Sequence, residues 1–175
     1  CFYTFSGSMV IFLRDYLQYS QAAASAQNSV FNSLVYLTPL LGGYVADARL
    51  GRYWTIALFG GFYMVGTAFM SVAAYPSNLD NFKWLFMLSF FGLVALGAGG
   101  IKSNVVTMGG DQFNLDHPIE SAQKDTYFIY FYWVINAGAL ISYLVLAQMA
   151  TDPEAFGLPQ GYGFFYTFFI AALSL

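Results

Sequence analysis

Lys102, in the run GGIKSNVV, is a cation at the end of a long apolar stretch that holds no other charge. Placing such a charge at the centre of a bilayer costs about 2.5 to 3.5 kcal/mol on insertion scales, so intramembrane lysines are rare and carry function by default. Two further groups have chemistry to offer. The run GGYVADARLGRYWTI, Gly42 to Ile56, sets Asp47, Arg49 and Arg52 within six residues, with Gly51 free to reverse the chain. In FYWVINAGALIS, Asn136 is the only amide in the apolar body of its segment. A buried amide has up to four hydrogen bonds to satisfy.

Each group has a plain reading beside a functional one. All nine acids fall in connections or at helix ends, so no carboxylate lies mid-membrane in this chain. Lys102 therefore pairs with a group outside these 175 residues, binds an anionic ligand, faces a hydrated cavity, or gives up its proton on burial. The plain alternative is a lysine snorkelling to the interface from the last turn of its helix. The DARLGR loop either exchanges charge pairs between helix ends as two halves of a transporter rock, or is a connector with solvated charges. Asn136 is either interhelical glue, worth about 0.6 kcal/mol, or a contact for a polar substrate.

These residues must be held by helices in a membrane. The chain is 58% hydrophobic, 21% aromatic and only 9% charged, where a soluble domain carries about a quarter charged residues. Six basic against nine acidic residues leave no basic stripe for a phosphate backbone, which excludes nucleic acid as a partner. One cysteine, Cys1, and one histidine, His117 in a polar loop, suggest neither an internal disulfide nor a metal site. No nucleophile and base pair or phosphate loop points to an enzyme, and no cofactor motif is present.

Four apolar runs, Ser29 to Ala46, Tyr53 to Ala74, Phe82 to Ile101 and Tyr127 to Ala150, have the length that crosses a ~30 Å hydrocarbon core. With partial segments at Cys1 to Leu13 and Gly163 to Leu175, the expectation is an all-α bundle of about six transmembrane helices, the first and last truncated. Its spans fall near residues 1–18, 29–46, 53–74, 82–104, 127–150 and 163–175. Polar connections separate them, the longest from Gly109 to Thr126. Pro39 kinks the second span. The small residues Gly42, Gly43, Gly60, Gly61 and Ala95 to Gly100 are expected to bring backbones into close contact. Arg49, Arg52 and Lys124 on one set of connections, against Arg14 and Lys83 on the other, weakly favour a cytoplasmic DARLGR loop.

The three runs together resemble the proton-coupled oligopeptide transporter family of the major facilitator superfamily. GGYVADARLGRYWTI is similar to its first signature, FYWVINAGAL to its second, and GGIKSNVVTMGGDQF to the segment after its fourth helix; the likeness runs from about Ser29 to Ser142. The resemblance implies two six-helix bundles that alternate access about a central site, with this chain as most of the amino-terminal bundle and the carboxy-terminal half of the same chain as its partner. It implies a multi-pass protein in the plasma membrane or an organelle membrane, moving di- and tripeptides. It also implies a proton gradient as the driving force, without a cofactor. Lys102 corresponds to the family's proton-coupling and substrate-binding lysine, Asn136 to an asparagine on peptide backbone, and Tyr36 to a tyrosine of the same cavity. Asp47, Arg49, Gly51 and Arg52 belong to the cytoplasmic gate, while Asp111 and Gln112 of GGDQF match the pattern without an assigned role.

One departure stands out in the first helix, where the family carries a glutamate and an arginine ahead of aromatics and a glycine. If Phe5, Ser6 and Gly7 align with the latter, Cys1 and Phe2 occupy the acidic and basic positions; otherwise the motif precedes Cys1. Family relatives that move nitrate or other small anions share all three runs, and a membrane scaffold that no longer transports is the remaining alternative.

Overall fold

A computed structural model describes residues 2–79 and 81–174, with the side chains of Phe2, Thr4, Phe5 and Ser6 outside the description. The alignment of Cys1 and Phe2 with the acidic and basic positions of the first helix therefore lies outside the described residues. Among the described residues the secondary structure is helical throughout. The principal helices are α1 (Phe2–Ile11), α2 (Gln21–Val45), α3 (Gly51–Ala73), α4 (Lys83–Leu88), α5 (Ala95–Gly110), α6 (Pro118–Ile141), α7 (Gln148–Thr151) and α8 (Gly163–Leu173). Wider π turns at Phe12–Tyr16, Ala46–Leu50, Ser89–Val94 and Ser142–Ala147 extend or join them.

Three continuous helical stretches are long and apolar enough to cross a membrane: 21–73, 83–110 and 118–151. At 1.5 Å per residue the first would be roughly 80 Å long if straight, well over twice the hydrocarbon thickness. Gly51 folds it back, with φ at +73°, a conformation that residues with a Cβ rarely adopt. The contacts with α5 and the π turn Ser89–Val94 before it give the directions. Along α2, Phe31 stacks on Phe90, Thr38 meets Ala95 and Gly42 meets Gly100, so α2 and α5 run parallel. Along α3, Phe59 lies at Gly100 while Gly66 lies at Val94, so α3 runs antiparallel to α5. The first stretch therefore supplies two spans.

Helices extend past the apolar runs that hydropathy marks. The Ser20 hydroxyl accepts the Ala23 amide at 3.3 Å, and this cap starts α2 at Gln21, well ahead of Ser29. Pro118 occupies the first position of α6, where its missing N–H costs nothing, and the helix begins inside the polar insert. The connection from α5 to α6 is thus residues 111–117 only.

Rings and hydroxyls join the helices. Phe12 contacts Phe86, Phe164 and Phe168 at centroid distances of 4.7, 4.9 and 5.6 Å, which ties the π turn that follows α1 to α4 and α8. Hydroxyls bridge helices from Thr38 to the Ala95 carbonyl (3.0 Å), Ser71 to Phe165 (3.2 Å) and Thr167 to Leu146 (3.3 Å). In lipid such bonds and close van der Waals packing replace water exclusion as the force between helices.

The glycines divide into two sets. A Cβ at Gly97 would stand 2.6 Å from the Tyr63 Cβ and 2.7 Å from the Phe59 carbonyl oxygen, and one at Gly42 would stand 2.7 Å from the Gly100 Cα. These positions bring α2 and α3 onto α5. Gly43, Gly60 and Gly61 do not, contrary to the expectation from sequence: nothing described lies within 4 Å of a Cβ built there. Gly60 and Gly61 instead line a recess of about 460 Å³ together with Ile101 of α5. Small residues mark where helices can approach, and only their placement around the helix decides where they do.

Candidate functional site

Tyr36 lies on the exposed side of α2, opposite the buried side formed by Phe31, Val35, Thr38 and Gly42. Lys102 stands on α5, and its Nζ sits 5.8 Å from the centroid of the Tyr36 ring. That is within the range at which the negative face of an aromatic ring attracts an ammonium. Two of the three predicted site residues therefore meet, although they come from different helices.

The direction of the lysine bears on snorkelling. Gly42 packs at the level of Gly100 and Asn104, so the Lys102 backbone lies near the level of Gly42. Tyr36 is six residues earlier on α2, farther from the Gly51 end of the bundle. The side chain reaches back along the helix, as the Cα–Cβ direction favours. Its amine thus points away from the nearer membrane face, toward the middle of the span. An ammonium held there on an aromatic face can receive an anionic group or exchange a proton.

Asn136 is placed differently. It is exposed on α6, a helix with no buried residue, and its Nδ2 donates to the Tyr132 carbonyl of the same helix at 2.8 Å. Together with Tyr132 and Trp133 it lines a separate recess of about 290 Å³. Among the described residues its amide bonds within its own helix and not across to another. The structure does not join Asn136 to Lys102 or Tyr36.

At the Gly51 end the charges converge on Arg52, in the first turn of α3. Its Nε is 2.8 Å from Asp111 Oδ2, and its Nη2 is 3.9 Å from Asp47 Oδ1. Asp111 caps the carboxy end of α5. A cation at a helix amino end and an anion at a carboxy end each oppose the local macrodipole, and pairing the two offsets both penalties. Asp111 had no assigned role on sequence; the structure makes it the near partner of Arg52. Arg49 is exposed and enters no ion pair among the described residues. Gln112 lines a recess of about 610 Å³ with Tyr53, Met108 and Tyr127. No group of three or more metal-binding side chains occurs among the described residues.

The model of the POT family (PTR2) matches residues 53–175. The chain is 34% identical over 174 residues to Protein NRT1/PTR FAMILY 8.3 of Arabidopsis thaliana, covering 90% of this chain and 30% of that protein. It is 37% identical over 149 residues to Peptide transporter family 1 of Drosophila melanogaster, covering 85% and 20%. Its fold superposes on the crystal structure of the POT family transporter PepTSo with a TM-score of 0.77 and 30% identity, over 98% of this chain and 33% of that one. The chain thus spans about a fifth to a third of the length of these proteins.

Proposed function

The chain belongs to the POT family, and from that premise we propose that it forms part of the amino-terminal bundle of a proton-coupled symporter for di- and tripeptides. One observation carries the proposal: a lysine within an apolar helix long enough to span a membrane holds its amine over an aromatic face, 5.8 Å from the centroid of the Tyr36 ring. A zwitterionic peptide presents a carboxylate that this ammonium can pair with. Its backbone amides suit Asn136, which would take part once the carboxy-terminal half of the protein closes over α6. Only the protonated amine pairs with the carboxylate, so proton uptake at Lys102 and peptide binding would favour one another, which would couple peptide to proton. The Arg52, Asp111 and Asp47 cluster would serve as part of the cytoplasmic gate, breaking and reforming as the two bundles alternate access.

A small anion such as nitrate is the second reading, because an ammonium alone suits any anion. The Asn136 recess favours the peptide, since an amide offers both a donor and an acceptor and a peptide backbone can use both, whereas nitrate can only accept. Uptake by the full-length protein in liposomes under an imposed pH gradient distinguishes them. Dialanine accumulation that follows the gradient is expected. Flux that ignores both peptide and pH contradicts the proposal.

A further inference from the structure

Lys102 and Tyr36 approach one another from separate helices, so something must set how α2 and α5 are registered. A second contact between the same two helices does this. Thr38, 5% exposed, donates its hydroxyl to the Ala95 carbonyl of α5 at 3.0 Å. Ala95 is the first residue of α5 after the π turn Ser89–Val94. A π turn inserts an extra residue into the helical register and so rotates everything that follows it, Lys102 included. Thr38 grips α5 at the point where the ordinary register resumes.

The opposite side of the contact is equally close. A Cβ added to Gly99 would run into the Thr38 hydroxyl and come within 3.0 Å of the Pro39 ring. Pro39 in turn has no N–H for the Val35 carbonyl, its acceptor in a regular helix. That carbonyl lies 3.5 Å from the Thr38 hydroxyl, at the limit of a hydrogen bond. A hydroxyl has one proton to donate. Thr38 can therefore hold the neighbouring helix or mend the break in its own, and here it holds the neighbour.

Lys102 is one turn along α5 from Gly99, and Tyr36 is one turn back along α2 from Pro39. A slide of α2 along α5 at the Thr38 and Gly99 contact moves the ring relative to the amine by the same amount. We infer that Thr38 and Gly99 are positioning residues for the Lys102 site: their contact fixes the amine over Tyr36, and the hydroxyl between two carbonyls is a latch on that register. The inference deepens the proposed function and rests on Lys102 receiving the peptide carboxylate.

The test uses the full-length protein in liposomes and compares dialanine with its carboxy-terminal amide, which lacks the charge Lys102 would meet. Wild type is expected to prefer the acid, and Lys102→Ala to abolish that preference. Thr38→Val, nearly isosteric, is expected to raise the KM for dialanine several-fold while leaving the KM for the amide and the turnover per folded transporter unchanged. Thr38→Ser, which keeps the hydroxyl, should restore the wild-type value, and Gly99→Ala should behave as Thr38→Val does.

An unchanged acid preference in Thr38→Val overturns the inference. So does a loss that Thr38→Ser fails to rescue, or one that affects acid and amide equally, as general loosening of the fold would. A wild type with no preference, or a Lys102→Ala variant that keeps it, refutes the reading of Lys102 itself whatever Thr38 does.

Discussion

The choice of partner for Arg52 gives a quantitative test, because sequence proximity and structure point to different acids. Asp47 lies on the same connection, yet its carboxylate is 3.9 Å from the guanidinium; Asp111, from the far end of α5, is at 2.8 Å. The side chains of Arg52, Asp111 and Asp47 keep 33%, 55% and 72% of their exposure, so all three are screened by solvent. Exposed ion pairs contribute about 0.2 to 1 kcal/mol. The short charge-assisted contact to Asp111 belongs at the upper end of that range, and relief of the two opposed helix ends acts in the same direction. A coupling near ~1 kcal/mol is expected for Arg52 with Asp111, a factor of about five in an equilibrium. For Arg52 with Asp47 a few tenths of a kcal/mol is expected. Double-mutant cycles with Arg52→Gln, Asp111→Asn and Asp47→Asn, read from detergent-driven unfolding of the full-length protein in mixed micelles, measure both. The larger coupling should shrink as salt is raised. An Asp47 coupling equal to or greater than that of Asp111 refutes the assignment.

Two further outcomes follow from the packing and from the cation over the ring. Gly97→Ala should destabilise the protein by about 1 to 3 kcal/mol, because its Cβ would collide with Tyr63 and the Phe59 backbone. Gly92→Ala, whose Cβ would find only Leu88 at 4.0 Å, should be tolerated in the same unfolding assay. Tyr36→Phe should keep the ammonium contact and hence peptide affinity, whereas Tyr36→Leu should lose about 0.5 to 2 kcal/mol of it, measured as KM for dialanine.

Much of the fold is legible because a bilayer demands continuous apolar helices of one length. Hydropathy marks the stretches, and Gly51 marks the reversal between two of them. Their faces are harder to read. Over residues 56–66 of α3 and 95–101 of α5 every residue is apolar, so no polar side reveals that Gly97 meets a neighbour while Gly60 and Gly61 do not. The phenylalanine cluster around Phe12 is hidden for the same reason: Phe86 and Phe164 look no different in sequence from exposed Phe169. The π turns leave no residue signature, so the register they set for Lys102 cannot be read before the helices are packed.

The site shows the same division. Lys102 stands out as a charge where charge is expensive, and the resemblance supplied Tyr36 as a neighbour. The partnership of Arg52 with Asp111 is invisible in sequence, because it joins two connections separated by two spans. Its trace is the placement of both charges against their helix dipoles, legible once the helix ends are known. Asn136 lies on a helix without a buried residue, and the relatives that the chain matches are several times its length.

The central claim is that Lys102 of this integral, multi-pass membrane protein binds the peptide carboxylate and couples it to protons. Lys102→Gln keeps a polar side chain of similar length and removes only the charge. Removing one partner of a charge pair that a closed transporter would desolvate costs about 2 to 5 kcal/mol, which corresponds to roughly 30-fold or more in rate or affinity. Dialanine uptake by the full-length protein in liposomes, driven by an acid-outside gradient, should therefore fall by at least that factor in Lys102→Gln. Gradient-driven uptake equal to that of wild type contradicts the account.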